Sequence, residues 1–418
     1  HAGTINVSSG ATLALTGGTH TFDSGALVNG TGNLKVSNGN TIFNGAATGS
    51  ANIVLTGGTT TFNGNTTTTG TATLSGGTLT GTGALTVGNT VTMSGTTLTG
   101  AGTLNADAGA AIAGAFSFNG TRTLNLAGNS TWSAGYIYGG GGSILNLKPG
   151  ASLTTSFDGT LHGTYYGGGN STTVFNNQGT FTKTTGAASS FTHITAVFNN
   201  TATGVVNVQA GTLDLGGGGA NGGTINVSPG ATLALTGGTH TFASGALVNG
   251  TGNLKVSNGN TIFNGATTGS ANIVLTGGTT TFNGTTNTTG SAILSGGTLT
   301  GTGTLTVGNT VTMSGTTITG AGTLDANAGV AITNSFSFNG SRTLALAGNS
   351  TWSAGYIYAG SGSILNLELG ASLSTSFDGT LHGTYYGGGA ASTVFNNQGT
   401  FTKTTGAANN YTDITAVF

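Results

Sequence analysis

Acid/base catalysis and divalent-cation binding both need carboxylates brought close together. This chain has eight acids and six histidines with which to attempt either. The acids are Asp23, Asp107, Asp158 and Asp214 in the first half and Asp325, Glu368, Asp378 and Asp413 in the second. They are scattered along the chain. The chain also repeats itself, Gly3 onward returning as Gly223 onward, so each position can be compared with its own copy. Asp23 returns as Ala243, Asp107 as Asn327, and Lys148 as Glu368. Groups that exchange in this way cannot carry a chemistry shared by both copies. Asp158 persists as Asp378 in "SFDGT", where an aspartate suits a corner. His20/His240 and His162/His382 recur, but no pair has the HxH or HxxxH spacing of a metal site. No Gly-x-Ser-x-Gly elbow lies between a strand and a helix, and no helix amino terminus follows the Gly-x-Gly runs. No enzyme activity, metal or cofactor is expected.

Aromatic residues form the one cluster with another kind of chemistry. Trp132, Tyr136, Tyr138, Tyr165 and Tyr166 lie close in sequence, and Trp352, Tyr356, Tyr358, Tyr385 and Tyr386 repeat them. Both tryptophans and eight of the 9 tyrosines fall in these two groups. Exposed aromatics with polar tips stack on sugar rings or anchor another protein. Packing of a wide rung's loop against its neighbours and contact between adjacent filaments are the two other uses open to them. Threonine arrays such as Gly57 to Gly83 drift in register along the sequence, which argues against a flat Thr-x-Thr face for ice.

Composition narrows the function classes. Charged residues are 4% of the chain, with 7 Lys+Arg against 8 Asp+Glu. Neither nucleic acid nor an anionic membrane surface finds the cations it needs. A neutral surface rich in hydroxyls and amides favours self-association. There is no cysteine. No apolar run approaches the ~20 residues that span a bilayer, so no membrane insertion is expected in this segment.

The elements that must position any site follow from two nested repeats. "GTINVSSGATLALTGGTHTF" (Gly3 to Phe22) returns as "GTINVSPGATLALTGGTHTF" (Gly223 to Phe242). Residues 1–198 and 221–418 differ at 31 positions. The expected organisation is a first unit over 1–220 and a truncated second copy over 221–418, a window of a longer tandem array. Within each unit the frame apolar-x-Gly-x-Gly-x-apolar-x-apolar recurs, as in "LTGTGALTV" (Leu79 to Val87) and "LTGAGTLNA" (Leu98 to Ala106). Leu85, Leu104, Leu124 and Leu145 follow one another at nearly even steps, and the next step, from Leu145 to Val174, is markedly longer. That long step holds "GTYYGGGN" (Gly163 to Asn170). Apolar residues alternate at period two in "TINV", "TLNL" and "ILNL", and Gly and Asn punctuate the runs. The prediction is an all-β fold: a parallel β-helix or solenoid, right-handed by choice, of about 20 residues per coil and about 11 coils per unit, with glycine at corners and stacked asparagines bonding along the axis.

The stretch "FNNQGTFTKTTGAASSFTHITAVFNNTATGVVNVQAGTLDLGGGG" (Phe175 to Gly219) resembles repeats of large bacterial surface and secreted proteins, filamentous-haemagglutinin-like adhesins and autotransporter passenger domains among them. "STWSAGYIYGGGGSILNL" (Ser130 to Leu147) is similar to the same class. The resemblance implies an extracellular right-handed β-helix and no particular ligand. β-Helices also serve as pectin lyases and related enzymes, but the acids here are too dispersed for that. The expected function is therefore a stiff extracellular fibre or stalk at the bacterial cell surface, continued axially through tandem units. Its expected partner is itself, end to end and side by side. The alternative is an adhesin that meets glycans or host surfaces through the Trp/Tyr patch.

Overall fold

The computed structural model describes residues 1–418 except 46, 167–171, 188, 266, 387–391 and 407–408. Every regular element among the described residues is a β-strand, and every pairing is parallel within two compact units, His1–Gly217 and Gly218–Phe418. Each unit is a β-solenoid with about 21 residues per turn.

Three strand segments make one coil of the first unit, so stacking creates three faces. On the first face, segments begin at residues 12, 33, 52, 72, 91, 110, 129, 152, 180 and 205, each paired with the next. The second face runs from Thr19–Phe22 to Thr212–Leu215. The third runs from Ala47–Gly49 to Val197–Asn200, with Thr4–Asn6 on Leu27–Asn29 before it. Asn52–Phe62 and Ala72–Thr80 bend through a corner and serve two faces at once. The first face thus holds ten coils, one fewer than the sequence suggests for a full unit, because the turns are longer than the spacing of the leucines implies.

The leucine anchors stack as expected: Leu85 on Leu104, Leu104 on Leu124, Leu124 on Leu145. The long step differs by one residue. Val174 lies opposite Ile144, and Phe175 opposite Leu145. A one-residue slip inverts every side chain of a strand, so pairing Leu145 with Val174 would have turned Phe175 outward. Within "GTYYGGGN", residues 167–170 lie outside the described residues.

Most inward positions are apolar, and several form columns of one residue type. Phe22, Phe43 and Phe62 form a column with ring centroids 4.8 and 4.9 Å apart, and Phe242, Phe263 and Phe282 form its counterpart at 4.7 and 4.9 Å. Burying each such side chain contributes about 1.5–3 kcal/mol. Among the described residues, only three of the positions that differ between copies are buried in both: Leu98 against Ile318, Ala110 against Val330, and Gly139 against Ala359. All three keep an apolar residue.

Polar ladders run outside. Asn105 donates to the Thr86 hydroxyl (3.0 Å), Asn125 to Asn105 (2.7 Å), Asn146 to Asn125 (2.9 Å), Asn176 to Asn146 (2.9 Å) and Asn199 to Asn176 (3.0 Å). The expected asparagine stack is therefore present. In the second unit Asp325 and Ala345 take the places of Asn105 and Asn125, and the Asn396–Asn366 bond (2.9 Å) remains.

Corners set the tightest constraint. Gly81 has φ of +101°, and a Cβ there would lie 2.2 Å from the Phe62 carbonyl oxygen of the neighbouring coil. Arg122, one of two arginines, is fully buried at such a corner and donates from Nη1 to Thr99 O (3.0 Å). Desolvation lowers its pKa to about 10. Arg342 repeats it, donating to the carbonyls of Gly301 and Thr319 at 3.2 Å each. The guanidinium is a clamp on backbone carbonyls, a use that matches Arg's fork of donors.

Gly141, at φ of +61°, is replaced in the second unit by Ser361, which holds φ of +55°. A non-glycine residue pays about 1–2 kcal/mol in that region. Ser361 also donates its hydroxyl to Tyr386 O, a bond worth about 1 kcal/mol, so Ser361→Gly is expected to leave the stability of the second unit nearly unchanged, and Gly81→Ala to lower the melting temperature of the first by several degrees. Thermal unfolding followed by circular dichroism measures both; no destabilisation from Gly81→Ala would contradict the corner packing.

Candidate functional site

The aromatic cluster sits on the second face. Outward positions there form a row: Asn40, Thr59, Thr78, Thr97, Ser117, Tyr138 and His162. Thr61 and Thr80 are likewise paired. These threonines are in register, contrary to the drift read from sequence: the offset between paired residues is the same on both sides of the strand irregularity between Leu74 and Thr78.

The row turns aromatic at its far end. The Tyr138 and His162 rings stack, 5.4 Å apart and 9° from parallel. The chain then folds back over them. Tyr166 donates its amide to Gly139 O (3.2 Å), and its hydroxyl lies 2.8 Å from that of Ser117. Tyr165 packs on Tyr138 at 4.5 Å and on Tyr166 at 4.9 Å. Tyr136 meets His162 edge-on at 6.0 Å. Tyr136, Tyr165 and Tyr166 are exposed and Tyr138 is half-buried.

Trp132 does not join them. It points inward, 1% exposed, and its indole N–H donates to Gly135 O at 2.7 Å. It supports the surface from beneath: Trp132 contacts Phe157 at 6.2 Å, and Phe157 contacts Tyr136 at 6.1 Å. The alternation of the strand Asn129–Ala134 puts Ser130 and Trp132 on the inner side. Trp352 is buried in the same way, with its N–H on Gly355 O at 2.7 Å. The second unit reproduces the rest. Tyr358 stacks on His382 (5.5 Å, 5°), Tyr385 packs on Tyr358 (4.6 Å), Tyr356 lies 6.0 Å from His382, and Tyr386 bonds Ser337 (2.7 Å).

An ion pair with a buried cation and a partly exposed carboxylate, missed from the sequence, lies next to this patch. Lys183 occupies an inward position, is fully buried, and donates from Nζ to Asp158 Oδ1 at 2.6 Å. It stacks in register on Thr155, which stacks on Trp132. Asp158 is thus more than a corner residue. The signal was available: in "TFTK" Lys183 has the inward parity of Phe181, and both partners persist as Lys403 and Asp378, 2.5 Å apart. Tyr136, Asp158, Gly159, Thr160, Ser190 and Phe191 line an open groove of about 310 Å³ beside the tyrosines. His193, 3.7 Å from Asp214, is on the adjoining strand. The pKa of His162 is lowered, first by desolvation and then by repulsion from His193.

No group of three metal-ligating side chains occurs among the described residues. Comparison with protein-family models, with curated proteins and with solved structures finds no match for this chain.

Removing one partner of a buried ion pair strands the other charge, whereas replacing the cation by a methylene chain does not. Water reaches the Asp158 carboxylate and screens the pair, so Asp158→Asn is expected to destabilise the first unit by about 1–2 kcal/mol and Lys183→Met to be milder; chemical denaturation ranks them, and the reverse order would remove the pair's assigned role. The histidine gives a pH signature. Because the folded pKa of His162 lies below its unfolded value of about 6.5, the unfolded chain binds the extra proton more readily. The stability tied to neutral His162 is complete above about pH 6.5 and is lost as pH falls through the folded pKa. The melting temperature of wild type relative to His162→Gln should therefore fall on acidification from pH 7 to 5. A pH-independent difference would contradict it.

Proposed function

We propose that this chain is a structural segment of an extracellular fibre or stalk at the bacterial cell surface, with no catalytic role. The observation that carries the proposal is the ladder itself. Within each unit, equivalent residues of successive coils pair in register on three faces, and the inner side is mainly apolar while the outer side is mainly hydroxyl and amide. Such stacking is additive along one direction, which suits length and stiffness. With charged residues at 4% of the chain, lateral contact between copies meets little electrostatic repulsion. The resemblance of Phe175 to Gly219 to repeats of bacterial surface proteins supports the location. Dispersed acids, with Asp158 engaged by Lys183, support the absence of catalysis.

At about 21 residues per turn and roughly 4.8 Å between paired strands, one complete unit would extend about 50 Å along its own axis, slightly less than the ~53 Å that the shorter expected turns give. Electron microscopy of the complete native protein is expected to show filaments with an axial period of about 50 Å, or a multiple of it. Separate compact particles at high protein concentration would refute the fibre.

A further inference from the structure

We infer that the groove beside the tyrosine row of the first unit is a binding site for an uncharged saccharide. The site stands apart from the structural role, since a stalk and an isolated unit would present it equally. Its volume of about 310 Å³ lies at the lower end of small-ligand sites. Two aromatic rings bound it, Tyr136 at 43% and Phe191 at 50% exposure. Both are braced before any ligand arrives: Tyr136 by Phe157 with Trp132 behind, Phe191 by the edge of His193 at 6.1 Å. Rings already held in place lose little freedom on binding. A pyranose offers the matching partner, an apolar face of C–H groups for the rings and a rim of hydroxyls.

The polar side of the groove fits that rim. Asp158 spends Oδ1 on the Lys183 ammonium, which orients the carboxylate and neutralises it. Oδ2 is left to accept from a ligand hydroxyl, and Thr160 and Ser190 supply hydroxyls that donate or accept. The cation is buried behind the carboxylate. An anionic sugar would therefore meet Asp158 first, and a cationic ligand would find its charge already compensated.

The two copies give an independent indication. Four of the five positions 189–193 differ in the second copy, against 31 of 198 overall. Ser189 and Ser190 return as Asn409 and Asn410, Phe191 as Tyr411, and His193 as Asp413. At the groove's rim, hydrogen-bonding residues are exchanged for hydrogen-bonding residues and an aromatic for an aromatic. Tyr136, Asp158, Thr160 and Lys183 are unchanged as Tyr356, Asp378, Thr380 and Lys403. Change is concentrated at this rim, and both copies keep hydrogen-bonding groups and an aromatic ring there.

The test is a screen of the full chain against neutral, uronate-containing and sulfated oligosaccharides, followed by calorimetric titration of the best neutral one. Retention of neutral glycans is expected, with at least a tenfold loss of affinity in Phe191→Ala/Tyr411→Ala and in Ser190→Ala/Asn410→Ala. The altered side chains are at the surface or rim, and circular dichroism melting confirms that the variants fold. Binding by no neutral glycan, preference for the charged ones, or unchanged affinity in the aromatic double variant would each overturn the assignment.

Discussion

Backbone hydrogen bonding between parallel strands of successive coils is the constraint from which the rest follows. It holds neighbouring coils at the roughly 4.8 Å spacing of paired strands. At that distance equivalent side chains of successive coils lie directly on one another. Phenylalanine stacks on phenylalanine inside, and asparagine bonds to asparagine outside. Where the chain turns a corner, the coils approach so closely that a single added carbon at Gly81 would collide with the carbonyl of Phe62. The high glycine content is a consequence of that spacing, not of looseness.

The same constraint sorts what is free to vary. Differences between the copies concentrate outside and at corners, where a side chain meets solvent or only its ladder neighbours. The asparagine ladder tolerates Ala345 because its backbone pairing is intact without the amide. Interior columns tolerate a methyl or a branch, as at Ala110 and Val330. A surface patch can therefore be remodelled without disturbing the support beneath it, which describes residues 189–193 above the Trp132–Phe157 brace.

Period and class were legible because they repeat. The nearly even steps from Leu85 to Leu104, Leu124 and Leu145 identified the stack, and the structure pairs those same leucines. What repetition did not encode was read less well. The long step was misplaced by one residue, since Ile144, Leu145, Val174 and Phe175 are all apolar and only parity separates them. The tryptophans were grouped with the tyrosines by proximity along the chain, although alternation within Asn129–Ala134 already points Trp132 inward. The Lys183–Asp158 pair spans 25 residues, a little more than one turn, and a charged residue at an inward position runs against the rule that charges stay outside.

That buried lysine has a bearing on how the chain finds its alignment. A column of leucines is nearly degenerate: shifted by one whole turn, it would still match apolar against apolar. Asp158 and Lys183 break the degeneracy, because a displaced turn would leave the buried ammonium without its counter-ion, which is unfavourable. An inward charge that needs its own counter-ion acts as a key that fits one alignment and rejects its neighbours.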